Sequence, residues 1–286
     1  MAHFWQMVFH ESKGVGVVVM LTRTHEGGRE KCSQYFPADF SDSPMLISRP
    51  EVPTLFTTQL RGSRRREETD NGDTLGKINL LESTFDRDSK SEVRKLELVL
   101  GSESKIVWHY LYGSWPDFSK PEAEDRAALI NLMLETDRKC PSDSPRVVHC
   151  SAGVGRTGTF IALDHLLKEL ESGELLTITD PETDPVFETV NHLREQRMMM
   201  VYNEMQLQFI YEVLREQADL KLGNVTEDEL RGVQSDTARE DEQSADSAEI
   251  ANPSGSRSPC DGMVSSRATT PSRSWSGTPE VSDNEP

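Results

Sequence analysis

The chain has 286 residues, of which 35% are hydrophobic, and its formal net charge at pH 7 is −18. This length allows one or two domains with a sizeable core, and the acidic balance argues against nonspecific nucleic-acid binding, which requires an excess of Lys and Arg. No stretch reaches the roughly 18 apolar residues of a membrane span, and the N-terminal residues lack the basic region and cleavage site of a signal peptide. We therefore expect a soluble intracellular protein located in the cytoplasm, with the nucleus as an alternative.

The four cysteines are widely and irregularly spaced, which fits neither a disulfide framework nor a zinc site. We therefore expect reduced thiols and no metal ion. The cysteines are Cys32, Cys140, Cys150 and Cys260.

The first half of the chain contains three segments with strand composition. They are VGVVVML at 15–21, KLELVL at 95–100 and IVWHYLY at 106–112, and the last two alternate in part between apolar and polar residues. The intervening run at 62–73 is rich in Gly, Asn and Asp and predicts a loop. After Pro121 the sequence favours a helix, because acidic residues occupy its first turn and basic residues its last.

The second half contains two further helical patterns, at 159–170 and from about 204 to 217, with the segment PVFETVNHLREQR (185–197) between them. Strands mixed with helices indicate an α/β domain, which we assign to residues 1–218.

Residues 219–286 form an acidic tail rich in Ser and Pro, with few large apolar side chains. Such a segment cannot bury enough surface to offset its ordering entropy, so we expect it to be disordered. Its candidate sites for proline-directed kinases are Ser258-Pro259, Thr270-Pro271 and Thr278-Pro279.

The sequence VVHCSAGVGRTGTF at 147–160 joins the end of a predicted strand to a predicted helix. Backbone N–H groups at such a helix start form an anion cradle, and three glycines allow the connecting loop to curl. Arg156 adds a planar fork suited to phosphate oxygens. Cys150 lies at the base of the cradle, where the positive field favours the thiolate, so we expect a nucleophile facing a bound phosphate.

The segment from His149 to Gly158 resembles the signature loop of the tyrosine-specific, non-receptor type protein tyrosine phosphatases. The resemblance implies a twisted mixed β-sheet flanked by helices and hydrolysis of phosphotyrosine in proteins through a phosphocysteine intermediate. No metal or other cofactor is required. It also implies that phosphate is bound by Arg156 and by the residues of the loop, Ser151, Ala152, Gly153, Val154 and Gly155.

Other motifs extend the resemblance. Trp115-Pro116-Asp117-Phe118 looks like the acid loop of the family, which would make Asp117 the general acid of the first step and the general base of the second. By the same resemblance, the Thr157 hydroxyl would hydrogen-bond the sulfur as it leaves the phosphocysteine.

His149 would hold the signature loop through a buried hydrogen bond. The run from Met20 to Cys32 is similar to a hairpin of the family in which a glutamate orients the signature arginine. Glu26 would then pair with Arg156, and Lys31 would lie at the rim of the site.

Two departures from the family pattern bear on activity. Tyr202 stands where a water-positioning glutamine is expected, whereas Gln206 matches a second glutamine four residues later. A phenol cannot replace the paired donor and acceptor of an amide, so we expect slow hydrolysis of the phosphocysteine, with Gln206 partly substituting.

The second departure concerns how much of the family domain this sequence covers. Residues 4–8 resemble a helix that normally lies well inside the family domain, so the resemblance covers about residues 3–216, the C-terminal two-thirds of that domain. Two classes of function therefore stay open: a phosphotyrosine phosphatase, or a weakly active or inactive domain that binds and regulates phosphoproteins.

Overall fold

A computed structural model describes residues 1–49 and 74–226 of the chain. The helices in these ranges are α1 (Ala2–Glu11), α2 (Ala123–Lys139), α3 (Gly155–Ser172), α4 (Pro185–Gln196) and α5 (Glu204–Leu222), with short 3₁₀ turns at Phe40–Asp42 and Glu174–Thr177. The strands are β1 (Gly16–Met20), β2 (His25–Glu26), β3 (Arg29–Glu30), β4 (Met45–Ser48), β5 (Thr74–Asp86), β6 (Ser91–Leu100), β7 (Glu103–Tyr112) and β8 (Arg146–His149). None of the helices in the described ranges combines the length and apolarity needed to cross a membrane.

Six strands form one mixed sheet in the order β4-β5-β6-β7-β1-β8, and β2 pairs with β3 in a separate hairpin. The strand β1 runs parallel to both β7 and β8, whereas β4 to β7 pair in antiparallel fashion. The predicted mixed sheet flanked by helices is therefore confirmed. The three strands predicted at 15–21, 95–100 and 106–112 correspond to β1, β6 and β7.

The strand β1, which lies between β7 and β8, is completely buried because helices cover both faces of the sheet. Successive side chains of a strand point to opposite faces. Val17 and Val19 accordingly belong to the core formed with α2, α3, α4 and α5, whereas Val18 and Met20 belong to the core formed with α1. Trp5 of α1 is fully buried in this second core. Two covered faces hold β1 and β8 rigidly, and β8 leads directly into the candidate site.

The composition did not reveal the strands β4 and β5. Most side chains of β5 are exposed or half-buried, so the strand shows little of the apolar alternation that marks a strand with one buried face. The loop predicted at 62–73 lies outside the described residues.

Two predicted helix boundaries are wrong. The helix predicted to begin at Thr159 begins at Gly155, where the Val154 carbonyl accepts the Gly158 N–H at 2.9 Å, so Gly155 and Gly158, two of the three glycines that suggested a loop, are helical. The helix α5 continues to Leu222, past the end predicted at about 217, and stops where Gly223 adopts the left-handed conformation (φ +72°). Residues 227–286 of the predicted tail, with the candidate kinase sites, lie outside the described residues.

Candidate active site

The candidate nucleophile lies between a strand and a helix. The strand β8 ends at His149, Cys150 follows with only 6% of its surface exposed, and α3 begins at Gly155. The loop turns at Gly153, whose φ of +69° is in the left-handed region that favours glycine. The backbone N–H groups of Gly153 and Thr157 act on the Cys150 sulfur and lower the pKa of its thiol. The loop thus encloses the sulfur at the N-terminus of a helix, as the sequence predicted.

The electrostatic surroundings of Cys150 favour its thiolate. Burial alone would raise the pKa of this thiol, but the nearby Thr157 hydroxyl, the backbone N–H groups of Thr157 and Gly153 and the charge of Arg156 outweigh burial and lower it. A lowered pKa increases the thiolate fraction at neutral pH, and the thiolate is the nucleophilic form of cysteine.

Two carbonyl groups of the loop accept hydrogen bonds from other parts of the protein. The Ala152 carbonyl accepts a hydrogen bond from Arg197 at 3.0 Å, and the Val154 carbonyl accepts one from the Gly158 N–H. Ser151 and Ala152 are exposed. Because these two carbonyl groups already have donors, the arrangement suits a loop that presents its N–H groups to an anion.

Gly158 is required by the close approach of α3 to a neighbouring turn. A Cβ at this position would lie 2.5 Å from the Val201 backbone nitrogen and 3.1 Å from the Met200 carbonyl carbon. Val201 itself has a φ of +57°, which is strained for a β-branched residue. Arg194 holds this turn by donating to the Met200 and Val201 carbonyls, each at 2.9 Å.

Arg156 connects three parts of the site. Its side chain is 2% exposed, and its two terminal nitrogens donate to both carboxylate oxygens of Glu26, at 2.7 and 3.3 Å. Thr22 supports this pair by donating to the same carboxylate at 2.8 Å. The guanidinium also donates to the Trp115 carbonyl at 3.0 Å and to Asp117 at 3.2 Å. The β2–β3 hairpin, the segment 115–117 and α3 therefore meet at the Arg156 side chain.

The acid loop, defined here as residues 115–120, is bound to the site at several points. One Asp117 oxygen accepts from Arg156 and the other from Lys31, so the predicted acid lies next to the predicted rim lysine. The Phe118 carbonyl accepts the Asn203 side-chain N–H at 2.8 Å. The structure thus places Asp117 beside the cradle.

His149 belongs to a buried chain of hydrogen bonds. Its Nδ1 lies 3.1 Å from the Cys150 carbonyl, its Nε2 lies 2.6 Å from the Tyr35 hydroxyl, and the same hydroxyl lies 2.8 Å from His109 Nε2. A carbonyl can only accept, so His149 Nδ1 carries the proton, Tyr35 donates to His149, and His109 donates to Tyr35. Burial lowers the pKa of both imidazoles, which keeps them neutral.

Tyr202 and Gln206 lie next to Gly155 at the start of α3. Tyr202 is 48% exposed, and its ring centroid lies 5.8 Å from that of Phe118. Gln206 is buried, and its Oε1 accepts the Tyr202 backbone N–H at 3.0 Å. A Cβ on Gly155 would lie 3.0 Å from that oxygen and 3.1 Å from Gln206 Nε2, so the amide is in direct contact with the cradle.

Comparisons with known proteins agree with this geometry. The family model for protein-tyrosine phosphatase matches residues 1–216. The chain belongs to the protein-tyrosine phosphatase family. The matched range is close to the extent expected from the sequence, residues 3–216.

Similar members of the protein-tyrosine phosphatase family include tyrosine-protein phosphatase 2 of Schizosaccharomyces pombe, which is 37% identical over 74% of this chain and 26% of its own length. Human tyrosine-protein phosphatase non-receptor type 9 is 31% identical over 76% of this chain and 32% of its own length. The chain therefore spans about a quarter to a third of these curated relatives. The catalytic domain of human protein tyrosine phosphatase non-receptor type 18 has a similar structure, with a TM-score of 0.55 and 27% identity, over 76% of this chain and 64% of that chain.

Several residues of this protein-tyrosine phosphatase site were not found from the sequence. Thr22, Tyr35, Arg197 and Asn203 all contact predicted site residues. Tyr35 is 114 positions from its partner His149, so no local spacing indicates the contact. Within the described ranges, no group of three or more His, Cys, Asp or Glu side chains is arranged to hold a metal ion.

The pairing of Glu26 with Arg156 predicts a pH-dependent contribution to stability. Burial would raise the pKa of Glu26, but the bonds and charge of Arg156 and the bond from Thr22 lower it below its ordinary value of 4.5. A lowered carboxyl pKa stabilises the fold above the unfolded-state pKa, and this contribution is lost as the pH falls through the folded-state value. Glu26→Gln should therefore lower the free energy of unfolding at pH 7 by about 1–3 kcal/mol.

Urea unfolding monitored between pH 7 and pH 3 would measure this effect. The difference between Glu26→Gln and wild type should shrink as the pH falls below about 4.5. Glu30→Gln, on the same hairpin but exposed, is the matched control and should differ little from wild type. A pH-independent difference for Glu26→Gln would contradict the assignment of an ionised pair.

Proposed function

We propose that the chain hydrolyses phosphotyrosine in proteins through a phosphocysteine intermediate. The observation that carries this proposal is the Cys150 sulfur, which is surrounded by the N–H groups of Gly153 and Thr157 and whose pKa is lowered. A low-pKa thiol within an anion cradle suits attack on a bound phosphate. The amides of the loop and Arg156 would neutralise the charge of the phosphoryl group, so the proposed reaction requires no metal ion or cofactor.

In the first step the Cys150 thiolate attacks phosphorus, an S–P bond forms and the bond from phosphorus to the tyrosyl oxygen breaks. Asp117 gives its proton to that oxygen as it leaves, which avoids expulsion of an unstable phenolate. When the dianionic phosphate enters the cradle, it competes for Arg156 with the Asp117 carboxylate, which lies 3.2 Å away. Glu26 keeps the guanidinium oriented toward the phosphate throughout.

In the second step a water molecule attacks the phosphocysteine and Asp117 accepts its proton. The S–P bond breaks, and the departing thiolate is stabilised by the Thr157 hydroxyl and the amides of the loop. Gln206 is the residue we propose to orient the water, because its amide lies beside Gly155 at the cradle. The chain from His109 through Tyr35 to His149 would hold the Cys150 carbonyl in place as a support of the loop.

The relatives support phosphotyrosine in proteins as the substrate class. Curated relatives are named tyrosine-protein phosphatases, and one solved neighbour, of TM-score 0.55 and 26% identity, is described as a phosphatase in complex with HER2 phosphopeptides. Residues 1–218 are the catalytic domain in this proposal. We propose that the chain acts in the cytoplasm, with the nucleus as the alternative.

Turnover of an aryl phosphate by the 286-residue chain tests the proposal directly. Wild type should release phosphate, whereas Cys150→Ser should not, because an alcohol in the same cradle is a far weaker nucleophile at neutral pH. Acid quenching during turnover should trap one phosphoryl group on the peptide that contains Cys150, detected by mass spectrometry. Absence of turnover in wild type, with tight binding of a phosphotyrosine peptide, would instead favour a phosphoprotein-binding role.

Because Tyr202 replaces the expected water-positioning glutamine, we predict that hydrolysis of the phosphocysteine limits the overall rate. In rapid mixing with an aryl phosphate, wild type should show a burst of phenol followed by a slower steady state. Tyr202→Gln should raise the steady-state rate several-fold and leave the burst rate unchanged, because an amide can position the water. Tyr202→Phe is the control and should behave as wild type. Equal burst and steady-state rates in wild type would show that Tyr202 does not slow hydrolysis.

A further inference from the structure

Both ends of the acid loop rest on one turn of α5. At the first end, the ring of Trp115 packs against Phe209, with 6.0 Å between centroids. At the other end, the Lys120 ammonium donates to both carboxylate oxygens of Glu212, each at 2.9 Å. Phe209 and Glu212 are three positions apart and therefore share one face of the helix. The helix α5 therefore fixes the positions of both ends of the acid loop.

Glu212 also receives hydrogen bonds from two other side chains. Arg126, near the start of α2, donates to it at 2.9 Å, and Gln208 donates at 2.8 Å. The side chains of Glu212, Lys120 and Arg126 are only 25%, 20% and 11% exposed. Charge-assisted bonds that are shielded from water in this way are stronger than surface ion pairs. One carboxylate therefore joins the acid loop, α2 and α5.

The loop between its two ends is short and internally braced. The Trp115 indole N–H donates to the Ser119 carbonyl at 2.9 Å, which closes the loop on itself. Asp117 lies within this closed turn, where it contacts Arg156. A displacement of Lys120 would consequently move the turn as a unit and shift the Asp117 carboxyl relative to the cradle.

We propose that Glu212 is a positioning residue for Asp117. Through Lys120 it holds the acid loop on α5, while Arg126 holds the Glu212 carboxylate in place, so that the Asp117 carboxyl group meets the leaving oxygen of the substrate. This inference rests on the proposed function, because it assumes that Asp117 is the general acid. Glu212 itself does not touch the reacting atoms.

The dependence of rate on the leaving group separates positioning of an acid from a general structural role. Phenol has an ordinary pKa of about 10, so phenyl phosphate requires a proton from the enzyme. Dinitrophenolate is a stable anion and leaves without one. Misplacement of Asp117 should therefore slow only the phenyl ester, whereas damage to the cradle or partial unfolding should slow both esters equally.

The experiment compares kcat/KM for phenyl phosphate and 2,4-dinitrophenyl phosphate in the 286-residue chain and its variants. Glu212→Ala should reduce the value for phenyl phosphate at least about tenfold and that for the dinitrophenyl ester less than about twofold, since a general acid contributes on the order of 10²–10⁴. Glu204→Ala, an exposed glutamate on the same helix, is the matched control and should change neither value. If Glu212→Ala does not fold, Glu212→Gln, which keeps the shape and one acceptor oxygen, replaces it. We expect this variant to show a smaller loss of kcat/KM that is again selective for phenyl phosphate.

A double-mutant cycle with Asp117→Asn completes the test. Asp117→Asn alone should show the same selective loss for phenyl phosphate, and Glu212→Ala should add no further loss in that background, because both changes act on one proton transfer. Equal losses on both esters, no loss on either, or additive losses in the double variant would each overturn the proposal for Glu212. If wild type turns over neither ester, the proposed function itself fails and this inference fails with it.

Discussion

The proposed chemistry depends on a thiol that ionises readily although it lies in the protein interior. Burial opposes the thiolate of Cys150, and the pKa falls only because backbone N–H groups, the Thr157 side chain and Arg156 act together on one atom. These donors are fixed by the fold, since the loop begins at the end of β8 and ends in the first turn of α3. A field that is arranged before the substrate arrives requires no reorganisation when phosphate binds.

Arg156 extends this constraint to the rest of the site. An arginine that is almost completely buried needs a partner for its charge, and Glu26 on the hairpin supplies it through two hydrogen bonds. The same guanidinium contacts the acid loop at Trp115 and Asp117. The anchoring of that loop on α5 through Glu212 then links the cradle to the helix that also presents Gln206.

Local sequence revealed those parts of the site that are local in the chain. The strand, loop and helix around Cys150 follow one another directly, so their order could be predicted, although the helix start was placed four residues late at Thr159. The strand β5 was missed because most of its side chains are exposed or half-buried. Contacts between distant segments, such as that of Tyr35 with His149, depend on tertiary packing, which the spacing of residues along the sequence does not indicate. The assignments of Glu26, Lys31 and Asp117 came from the family resemblance. In the structure Glu26 and Asp117 contact Arg156, and Lys31 contacts Asp117.

Alkylation by iodoacetate as a function of pH tests the central claim most directly, because the reagent reacts with thiolates. Mass spectrometry can follow Cys32, Cys140 and Cys150 in one sample, and the first two are internal controls because burial raises the pKa of their thiols. The account predicts a midpoint for Cys150 below the ordinary thiol value of about 8.5, and midpoints above it for the other two. A midpoint for Cys150 at or above that value would contradict the account.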